Sequence, residues 1–315
     1  MEEAIALGER GRGRSAPNPN VGCVIVSGDA AVGRGWTQKG GRPHAEAVAL
    51  EEAGEAARGA TVFVTLEPCA HESARGPACA DLLVEAKPAR VVVALADPDR
   101  RTDGVGIARL KAAGIAVDVG LGAEQAARSM AGFLSRIRLG RPFVTLKLAL
   151  SIDSMIATAA GESRWITGAE ARADTHLERA KADMILVGRG TYYLDNPKLD
   201  VRLPGLEEAS PRRALLTAGE GAAGWEILAR PQDIFGLKDV NDLLVEGGAA
   251  TATAFLKADL VDRLLLYRAP ILIGAGKAAV GDIGLEALAG AYGRWRRMET
   301  LQLGSDTREV YERTR

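Results

Sequence analysis

Residues 42–81 of this chain read RPHAEAVALEEAGEAARGATVFVTLEPCAHESARGPACAD and contain three side chains of the kinds that bind transition metals. His44 opens a segment whose apolar residues recur at helical spacing. Cys69 follows an apolar run typical of a strand, and Cys79 precedes a second helical pattern. One imidazole and two thiolates suit zinc, and a catalytic zinc site with three protein ligands leaves the fourth position for water. The pattern therefore predicts a catalytic zinc centre.

Glu46 stands two residues after His44 and places a carboxylate next to the predicted ligands. An H-x-E motif followed by P-C and a second cysteine is the signature of zinc-dependent deaminases, whose glutamate carries protons without binding the metal. Zinc lowers the pKa of water to about 7, so a nucleophile is available at neutral pH. A carboxylate must take the proton of that water and return it to nitrogen, so that ammonia leaves. We therefore predict that Glu46 is the general acid and base.

A structural zinc site is the alternative interpretation of the same residues. Such a site is closed by four protein ligands. His71, two residues after Cys69, would supply the fourth ligand in that case. A further alternative is that the two thiols are buried and unrelated to a metal.

Length, charge and cysteine content limit the classes of protein to be considered. For 315 residues two domains are the better expectation, and a net charge of −1 gives no bulk positive field that would attract nucleic acid. No apolar segment approaches the length of a membrane span, and the start of the chain lacks the apolar core of a signal peptide. Three cysteines, two of them predicted ligands, favour a reducing cytoplasm, with Cys23 as a buried small hydrophobe.

Strands alternate with helices along the first part of the chain, as in α/β proteins. Residues 21–26 and 31–36 form a predicted hairpin. The other predicted elements are helices at 2–8, 44–58, 78–86 and 102–113, and strands at 61–66, 90–96 and 115–119. This alternation indicates a sheet covered by helices on both faces. Asn18 and Asn20 lie in the loop before the hairpin, either as turn residues or as groups that bind the substrate.

A second α/β pattern begins after a predicted helix at 123–139. The boundary falls near residues 140–142, and an apolar strand follows at 143–150. Thr167 and Gly168 have the position of a cap before the predicted helix 169–180. We therefore predict two domains, 1–140 and 141–315.

Glycine-containing turns follow two apolar strands of the second domain, at 184–191 and 243–251. Backbone N–H groups in such a turn can closely approach a phosphate, although ordinary connections between strand and helix have the same pattern. The G-x-G-x-x-G fingerprint is absent from both turns, so a Rossmann domain is not expected.

Four motifs of the first domain resemble the deaminase half of the bifunctional riboflavin-biosynthesis deaminase/reductase family. They are PNPNVG at 17–22, HAE at 44–46, TLEPCAH at 65–71 and ADP at 96–98. The resemblance implies a cytidine-deaminase-like α/β/α sandwich that binds Zn²⁺ through His44, Cys69 and Cys79 and uses Glu46 in catalysis. It also implies that Asn18 and His71 contact the substrate and that Arg75 lies near the substrate phosphate.

Motifs of the second domain resemble the reductase half of the same family: SID at 151–153, GESRWIT at 161–167, DNPKL at 195–199 and VEGG at 245–248. The resemblance implies a dihydrofolate-reductase-like α/β fold that uses NADPH. The implied cofactor residues are Ala149, Trp165, Thr191, Asp195, Gly248, Ala249, Ala250 and Thr251. The implied substrate residues are Ser163, Arg179, Leu199, Arg202 and Glu246. The segment 217–240 is shorter than the resemblance to the family leads us to expect. A strand and a helix found in relatives are expected to be missing there.

The family resemblance implies two consecutive reactions of riboflavin biosynthesis. They are deamination of a diaminopyrimidinone ribotide and NADPH-dependent reduction of its ribosyl side chain to ribityl. The implied partners are this small phosphoribosyl substrate and further copies of the chain, as a dimer or tetramer, and neither nucleic acid nor a membrane. One alternative is a deaminase whose reductase half is only structural. Another is a deaminase that edits nucleic acid, which the near-neutral net charge disfavours.

Overall fold

The structure is a computed structural model that describes residues 1–71 and 75–315. It consists of two compact units, Met1–Gly140 and Arg141–Arg315. Each unit has its own hydrophobic core around a sheet. Among the described residues, no helix combines the length and apolar character needed to span a lipid bilayer.

The first unit contains a five-stranded sheet. Its strands are β1 (Gly22–Ser27), β2 (Ala30–Trp36), β3 (Thr61–Val64), β4 (Arg90–Val93) and β5 (Ala116–Val119). Its helices are α1 (Glu2–Glu9), α2 (Ala45–Ala53), α3 (Cys79–Ala86), α4 (Val105–Ala112), α5 (Ala123–Ser129) and α6 (Ala131–Leu139), with short 3-10 helices at Lys39–Gly41 and Gly54–Ala57. The strand order is β2-β1-β3-β4-β5.

The sheet of the first unit is mixed. β1 is antiparallel to both β2 and β3, whereas β3, β4 and β5 run parallel. Cys23 pairs with Val64 across β1 and β3, and both residues are fully buried, so the predicted role of Cys23 as a small core residue is confirmed. Burial raises the pKa of the Cys23 thiol well above its ordinary value.

Two long helices predicted for the first unit are each broken. The helix predicted at 44–58 ends at Gly54, which takes a φ of 51° that a continuing helix does not allow. The helix predicted at 123–139 is divided at Met130, whose φ of −100° and ψ of 22° are not helical. Met130 is fully buried, so the break between the two helices lies at the core.

The second unit contains an eight-stranded sheet and a small two-stranded one. Its strands are β6 (Phe143–Leu150), β7 (Met155–Ala157), β8 (Met184–Gly188), β9 (Arg212–Leu216), β10 (Glu226–Leu228), β11 (Asp242–Glu246), β12 (Arg263–Arg268), β13 (Lys277–Ala278), β14 (Trp295–Leu303) and β15 (Asp306–Arg313). Its helices are α7 (Ala169–Ala180), α8 (Arg189–Asp195) and α9 (Ala249–Lys257), with 3-10 helices at Glu207–Ala209, Pro231–Gly236 and Leu288–Ala291.

The order of the large sheet is β10-β9-β8-β11-β6-β12-β15-β14. The first six strands in this order are parallel, and β15 is antiparallel to both of its neighbours. Every residue of β8 is buried, as expected for a parallel strand covered on both faces. The carboxyl ends of β8, β9, β11 and β6 therefore lie at one edge of the sheet.

Two segments of the second unit bear on the sequence expectations. Residues 217–240 contain the strand β10 and the 3-10 helix Pro231–Gly236, and the expected loss of a strand and a helix relative to the family stays a prediction. Gly168 is the N-cap of α7, but the side chain of Thr167 makes no capping hydrogen bond. Instead, the N–H of Gly168 donates to Asp306 Oδ2 at 2.6 Å, so a carboxylate from β15 replaces the local cap.

A buried ion pair connects the start of β6 to the loop before β12. Arg141 donates from Nη1 and Nη2 to the two carboxylate oxygens of Asp262, at 2.6 and 2.9 Å. Asp262 also accepts the N–H of Val144 at 2.9 Å and Nη1 of Arg315 at 2.5 Å. Neutralising this carboxylate would remove a negative charge that faces a guanidinium only 5% exposed to solvent.

The Asp262→Asn variant is expected to lower the free energy of unfolding of the second unit by about 3–5 kcal/mol, the usual effect of breaking a buried pair. Urea unfolding followed by tryptophan fluorescence measures this, since Trp165, Trp225 and Trp295 all lie in that unit. Asp239→Asn is the matched control, because Asp239 pairs with Arg212 at an exposed site and should contribute about 1 kcal/mol or less. Equal losses of unfolding free energy in Asp262→Asn and Asp239→Asn would contradict the assignment of Asp262 to a stabilising buried ion pair.

Candidate zinc centre and reductase site

Two helix starts bring the three predicted zinc ligands together. His44 is the N-cap of α2, Cys79 is the first residue of α3, and Cys69 lies on the loop after β3. His44 Nδ1 lies 3.3 Å from Cys79 Sγ and 3.5 Å from Cys69 Sγ. The ligand atoms of these three residues all lie within 4.8 Å of one another. The sequence pattern predicts that His44 and Cys79 lie where loops enter helices, and the structure shows this arrangement.

These distances fit a tetrahedral zinc ion. Zinc–nitrogen and zinc–sulfur bonds of about 2.0 and 2.3 Å place the ligand atoms of such a site about 3.5 Å apart. The backbone N–H of Cys79 donates to Cys69 Sγ at 3.3 Å, and this contact stabilises a thiolate. Hydrogen bonding from the Cys79 thiol, and then from His44, lowers the pKa of Cys69 to about 3. A closed structural site would require His71 as the fourth ligand. Within residues 1–71 and 75–315, however, His71 is not part of the metal-binding group.

Glu46 lies in the first turn of α2 beside the ligands and is only 3% exposed. Burial raises the pKa of Glu46 to about 7; the charge of His44 opposes the rise and that of Cys69 adds to it. A carboxyl group with a pKa near neutrality can both accept and donate a proton at the working pH. The position and the protonation of Glu46 therefore suit a general acid and base.

The two asparagines of the loop before β1 have different surroundings. Asn18 Nδ2 donates to the carbonyl of Gly41 at 2.8 Å and lies 3.3 Å from His44 Nε2, on the side of the ring away from the sulfurs. Asn20 is buried and donates to the carbonyls of Gly8 and Ser129, both at 3.3 Å. Asn18 thus borders the metal ligands, whereas Asn20 has the structural role that a turn residue suggests.

A cavity of about 730 Å³ opens beside the metal ligands and is lined in part by His44, Cys79 and Arg75. Arg75 donates from Nη2 to the carbonyl of Gly40 at 2.6 Å, which holds the guanidinium at the cavity wall. His71 lies outside the described lining, and its buried Nδ1 has no hydrogen-bond partner among the described residues. The structure therefore brings Arg75 to the cavity but does not show the predicted substrate contact of His71.

Glu67 is a residue that the sequence reasoning missed. It is 3% exposed and accepts the backbone N–H groups of Asp97, Gly104 and Ile107 at 3.2, 3.0 and 3.1 Å. Its carboxylate thereby fixes the segment between β4 and α4 to the loop that carries Cys69. The available signal was a glutamate directly after an apolar strand, where a buried charge needs several donors.

A cluster of charges marks the carboxyl edge of the large sheet in the second unit. Arg179 donates from Nε and Nη2 to the two oxygens of Glu246 at 2.8 and 2.9 Å. Lys147 on β6 pairs in register with Glu246 on β11, so the two side chains lie on neighbouring strands. Burial lowers the pKa of Lys147, while the charge of Glu246 opposes this. Although burial raises the pKa of Glu246, the charges of Lys147 and Arg179 hold it below its usual value.

Lys147 was missed as a site residue because a single lysine in a strand is usually explained as a solvated charge. Here it is flanked by the apolar residues Leu146 and Leu148 and lies 5.6 Å from the ring centre of Tyr267. The useful signal was a cation in the middle of an otherwise apolar strand. Such a residue needs favourable surroundings, which Lys147 finds at the face of Tyr267 and in the opposite charge of Glu246 on the neighbouring strand.

The other predicted substrate residues of the reductase have varied environments. Ser163 is exposed in the loop before α7, and Leu199 is buried. Arg202 is exposed and forms an ion pair with Asp200 at 3.5 Å. The structure therefore brings Arg179 and Glu246 into direct contact, but not Ser163 or Leu199 with them.

The predicted NADPH residues fall into three groups. Ala149 lies on β6, and Gly248, Ala249, Ala250 and Thr251 form the N-cap and first turn of α9. Thr191 and Asp195 lie on α8, where Asp195 Oδ1 accepts Nη2 of Arg164 at 3.0 Å. Trp165 is 67% exposed, and the guanidinium of Arg172 lies 4.9 Å from the centre of its ring system. The first two groups lie at the carboxyl edge of the parallel strands, where nucleotides bind in such sheets.

Protein purified with its metal is expected to contain one zinc ion per chain, and Cys69→Ser and Cys79→Ser should each lose it. The reason is that each change removes one of only three protein ligands. Metal analysis of the purified variants measures this, and Cys23→Ala is the matched control because Cys23 is buried outside the cluster. Retention of zinc by both ligand variants would contradict the proposed centre.

Comparison with known proteins agrees with both halves of the structure. The pattern of the cytidine and deoxycytidylate deaminase zinc-binding region matches residues 1–95, and that of the RibD C-terminal domain matches 142–220 and 234–308. The riboflavin biosynthesis protein RibD of Haemophilus influenzae is 37% identical over 358 aligned residues, which cover 99% of this chain and 96% of that protein.

Solved structures give the same result for the fold. Acinetobacter baumannii RibD has 37% sequence identity and a TM-score of 0.89, covering 100% of this chain and 98% of that chain. A diaminohydroxyphosphoribosylaminopyrimidine deaminase/5-amino-6-(5-phosphoribosylamino)uracil reductase from Thermotoga maritima has 29% identity and a TM-score of 0.88, covering 100% of this chain and 97% of that chain. The predicted α/β fold class and the predicted family are confirmed. Because the likeness extends over nearly the whole length of the chain and both family patterns match, this chain belongs to the RibD family of riboflavin-biosynthesis deaminase/reductases.

Proposed function

We propose that residues 1–140 form a zinc-dependent deaminase and residues 141–315 an NADPH-dependent reductase that act in sequence. The proposed first substrate is 2,5-diamino-6-(ribosylamino)-4(3H)-pyrimidinone 5′-phosphate, which loses one amino group as ammonia. The ribosyl group of the product is then reduced to ribityl. These two activities are those in the name of the Thermotoga maritima relative.

The cluster of His44, Cys69 and Cys79 beside a buried Glu46 is the observation that carries the deaminase proposal. Zinc held by these ligands supplies the Lewis acidity that makes water reactive at neutral pH. Glu46 takes the proton of the attacking water and delivers it to the departing amino group, for which its pKa of about 7 is suited. Arg75 lies at the wall of the adjoining cavity and is proposed to bind the substrate phosphate.

In the reductase, NADPH supplies the hydride, and the side chains orient the sugar and its charges. Arg179 holds Glu246 through two hydrogen bonds, and Lys147 adds a positive charge beside the same carboxylate. This group of charges is proposed to bind the ribosyl part of the substrate. Arg202 is exposed and pairs with the carboxylate of Asp200, whose carbonyl accepts a hydrogen bond from Arg179. Arg202 is proposed to bind the substrate phosphate.

We also propose a cytoplasmic location and assembly of the chain with further copies of itself. Cys23, Cys69 and Cys79 are free thiols in the structure, which suits a reducing compartment. Sedimentation of the purified protein tests the assembly, and a monomeric mass would contradict it.

Glu46→Gln is expected to keep zinc while losing about a hundred- to ten-thousand-fold in the rate of ammonia release, because the amide cannot shuttle the proton. Ammonia release from the pyrimidine ribotide and the zinc content are measured on the same sample. Glu52→Gln is the matched control, since Glu52 is an exposed residue of the same helix that accepts the N–H of Arg34. Loss of zinc from Glu46→Gln would mean that this carboxylate is a ligand rather than a base.

Removal of zinc by a chelator is expected to stop ammonia release but not the oxidation of NADPH with the deaminated substrate. The predicted ligands all lie in the unit Met1–Gly140, whereas the charges of the reductase site lie in Arg141–Arg315. Parallel assays of ammonia and of NADPH absorbance test this. Ammonia release without NADPH oxidation in the untreated protein would instead leave a monofunctional deaminase, and absence of both activities would contradict the whole proposal.

A further inference from the structure

The connections of the large sheet change direction between β8 and β11, which are neighbours in it. After β8 the chain continues to β9 on one side, and after β11 it continues to β12 on the other side. In open parallel sheets, nucleotides bind in the crevice at the carboxyl ends of two such strands. The residues at this crevice are Gly188, where β8 ends, Arg189, where α8 begins, and the turn after β11, which contains Gly247 and Gly248.

Gly188 and Gly247 both pack against the same side chain, that of Thr251 in the first turn of α9. A Cβ added at Gly188 would overlap Thr251 Oγ1, and one added at Gly247 would come within 2.8 Å of Thr251 Cβ. Both positions therefore need glycine to pack against the first turn of α9. Arg189 follows immediately after Gly188, so the backbone of Arg189 is anchored at the crevice.

The side chain of Arg189 extends from this anchor toward the loop after β9. Its Nη1 would lie 4.0 Å from a Cβ added at Gly219, and its guanidinium lies 5.5 Å from the ring centre of Tyr193. Among the residues that the structure describes, Arg189 forms no ion pair and no side-chain hydrogen bond. An exposed guanidinium with all its donors available at a nucleotide crevice is suited to an anionic group of the ligand.

We infer that Arg189 recognises the 2′-phosphate of NADPH and so determines the preference of the reductase for NADPH over NADH. This inference rests on the proposed use of a nicotinamide cofactor by the second unit. The two cofactors differ only in that phosphate, and an arginine beside the adenosine ribose is the usual means of accepting it. The guanidinium binds the phosphate through two parallel N–H donors, while Tyr193 supports the side chain by a cation–π contact.

Arg213 provides a matched contrast within the same unit. It also stacks on an aromatic ring, since its guanidinium lies 5.0 Å from the centre of the Trp225 ring system. It also faces the segment between β9 and β10, where its Nη2 would lie 3.7 Å from a Cβ added at Gly224. However, Arg213 lies near the start of β9, at the opposite end of the parallel strands from the crevice. The Arg213→Ala variant therefore shows how cofactor binding responds to the loss of an arginine that stacks on an aromatic ring but lies away from the crevice.

The experiment measures the dissociation constants of NADPH and NADH for the full-length, zinc-loaded protein by fluorescence titration. Arg189→Ala is expected to weaken NADPH binding by about 10- to 100-fold, the loss of one or two charge-assisted hydrogen bonds, and to leave NADH binding unchanged. Arg189→Lys should restore part of the preference, because lysine keeps the charge but not the fork of donors. Arg213→Ala should behave as the unmodified protein. Competition by 2′-AMP should exceed that by 5′-AMP in the unmodified protein and in Arg213→Ala, but not in Arg189→Ala.

Each other outcome has a distinct meaning. If Arg189→Ala keeps the preference of the unmodified protein, or if the unmodified protein binds NADPH and NADH equally, the role of Arg189 is wrong while the reductase proposal stands. An equal loss of NADPH affinity in Arg189→Ala and Arg213→Ala also overturns the proposed role of Arg189. Failure of the unmodified protein to bind NADPH at all overturns the proposed cofactor together with this inference.

Discussion

The contact of one imidazole nitrogen with two sulfur atoms is the constraint on which the first unit depends. His44 Nδ1 reaches Cys69 and Cys79 because α2 and α3 both begin at the same point, beside the loop after β3. The starts of helices provide N–H donors and a partial positive charge, which stabilise thiolates. Burial of Glu46 in the first turn of α2 follows from the same placement, so ligand geometry and proton transfer have a common structural origin.

The second unit contains charges that are buried in pairs, and each pair lies at a junction between elements. Glu246 lies between Arg179 and Lys147 at the carboxyl edge of the sheet, whereas Asp262 with Arg141 lies near the start of β6. A buried charge is tolerated only when its partners satisfy it, so these groups specify how the strands are arranged as well as what they bind. The same chemistry has a structural use at one end of the strands and a proposed functional use at the other.

The local motifs predicted most of the fold and the metal centre, because their meaning depends on short-range spacing. The ligands His44, Cys69 and Cys79, the alternation of elements and the strand β8 could all be predicted in this way. Breaks at Gly54 and Met130 could not, since helical periodicity continues across both positions and only the core shows where Met130 must point. Glu67 and Lys147 were missed for a related reason. The groups that surround the Glu67 carboxylate and the Lys147 amine come from segments that are distant in the sequence.

One side of the metal centre is fixed by the hydrogen bonds of Glu67. Its carboxylate binds the segment from Asp97 to Ile107 at three backbone positions, and a side chain at Gly106 would collide with the carbonyl of Pro68. That segment therefore cannot shift without loosening the loop that carries Cys69. Arg75 lies on the cavity wall and outside the hydrogen bonds of Glu67, so divergence toward new substrates is expected to be tolerated better at Arg75 than in the segment that Glu67 binds.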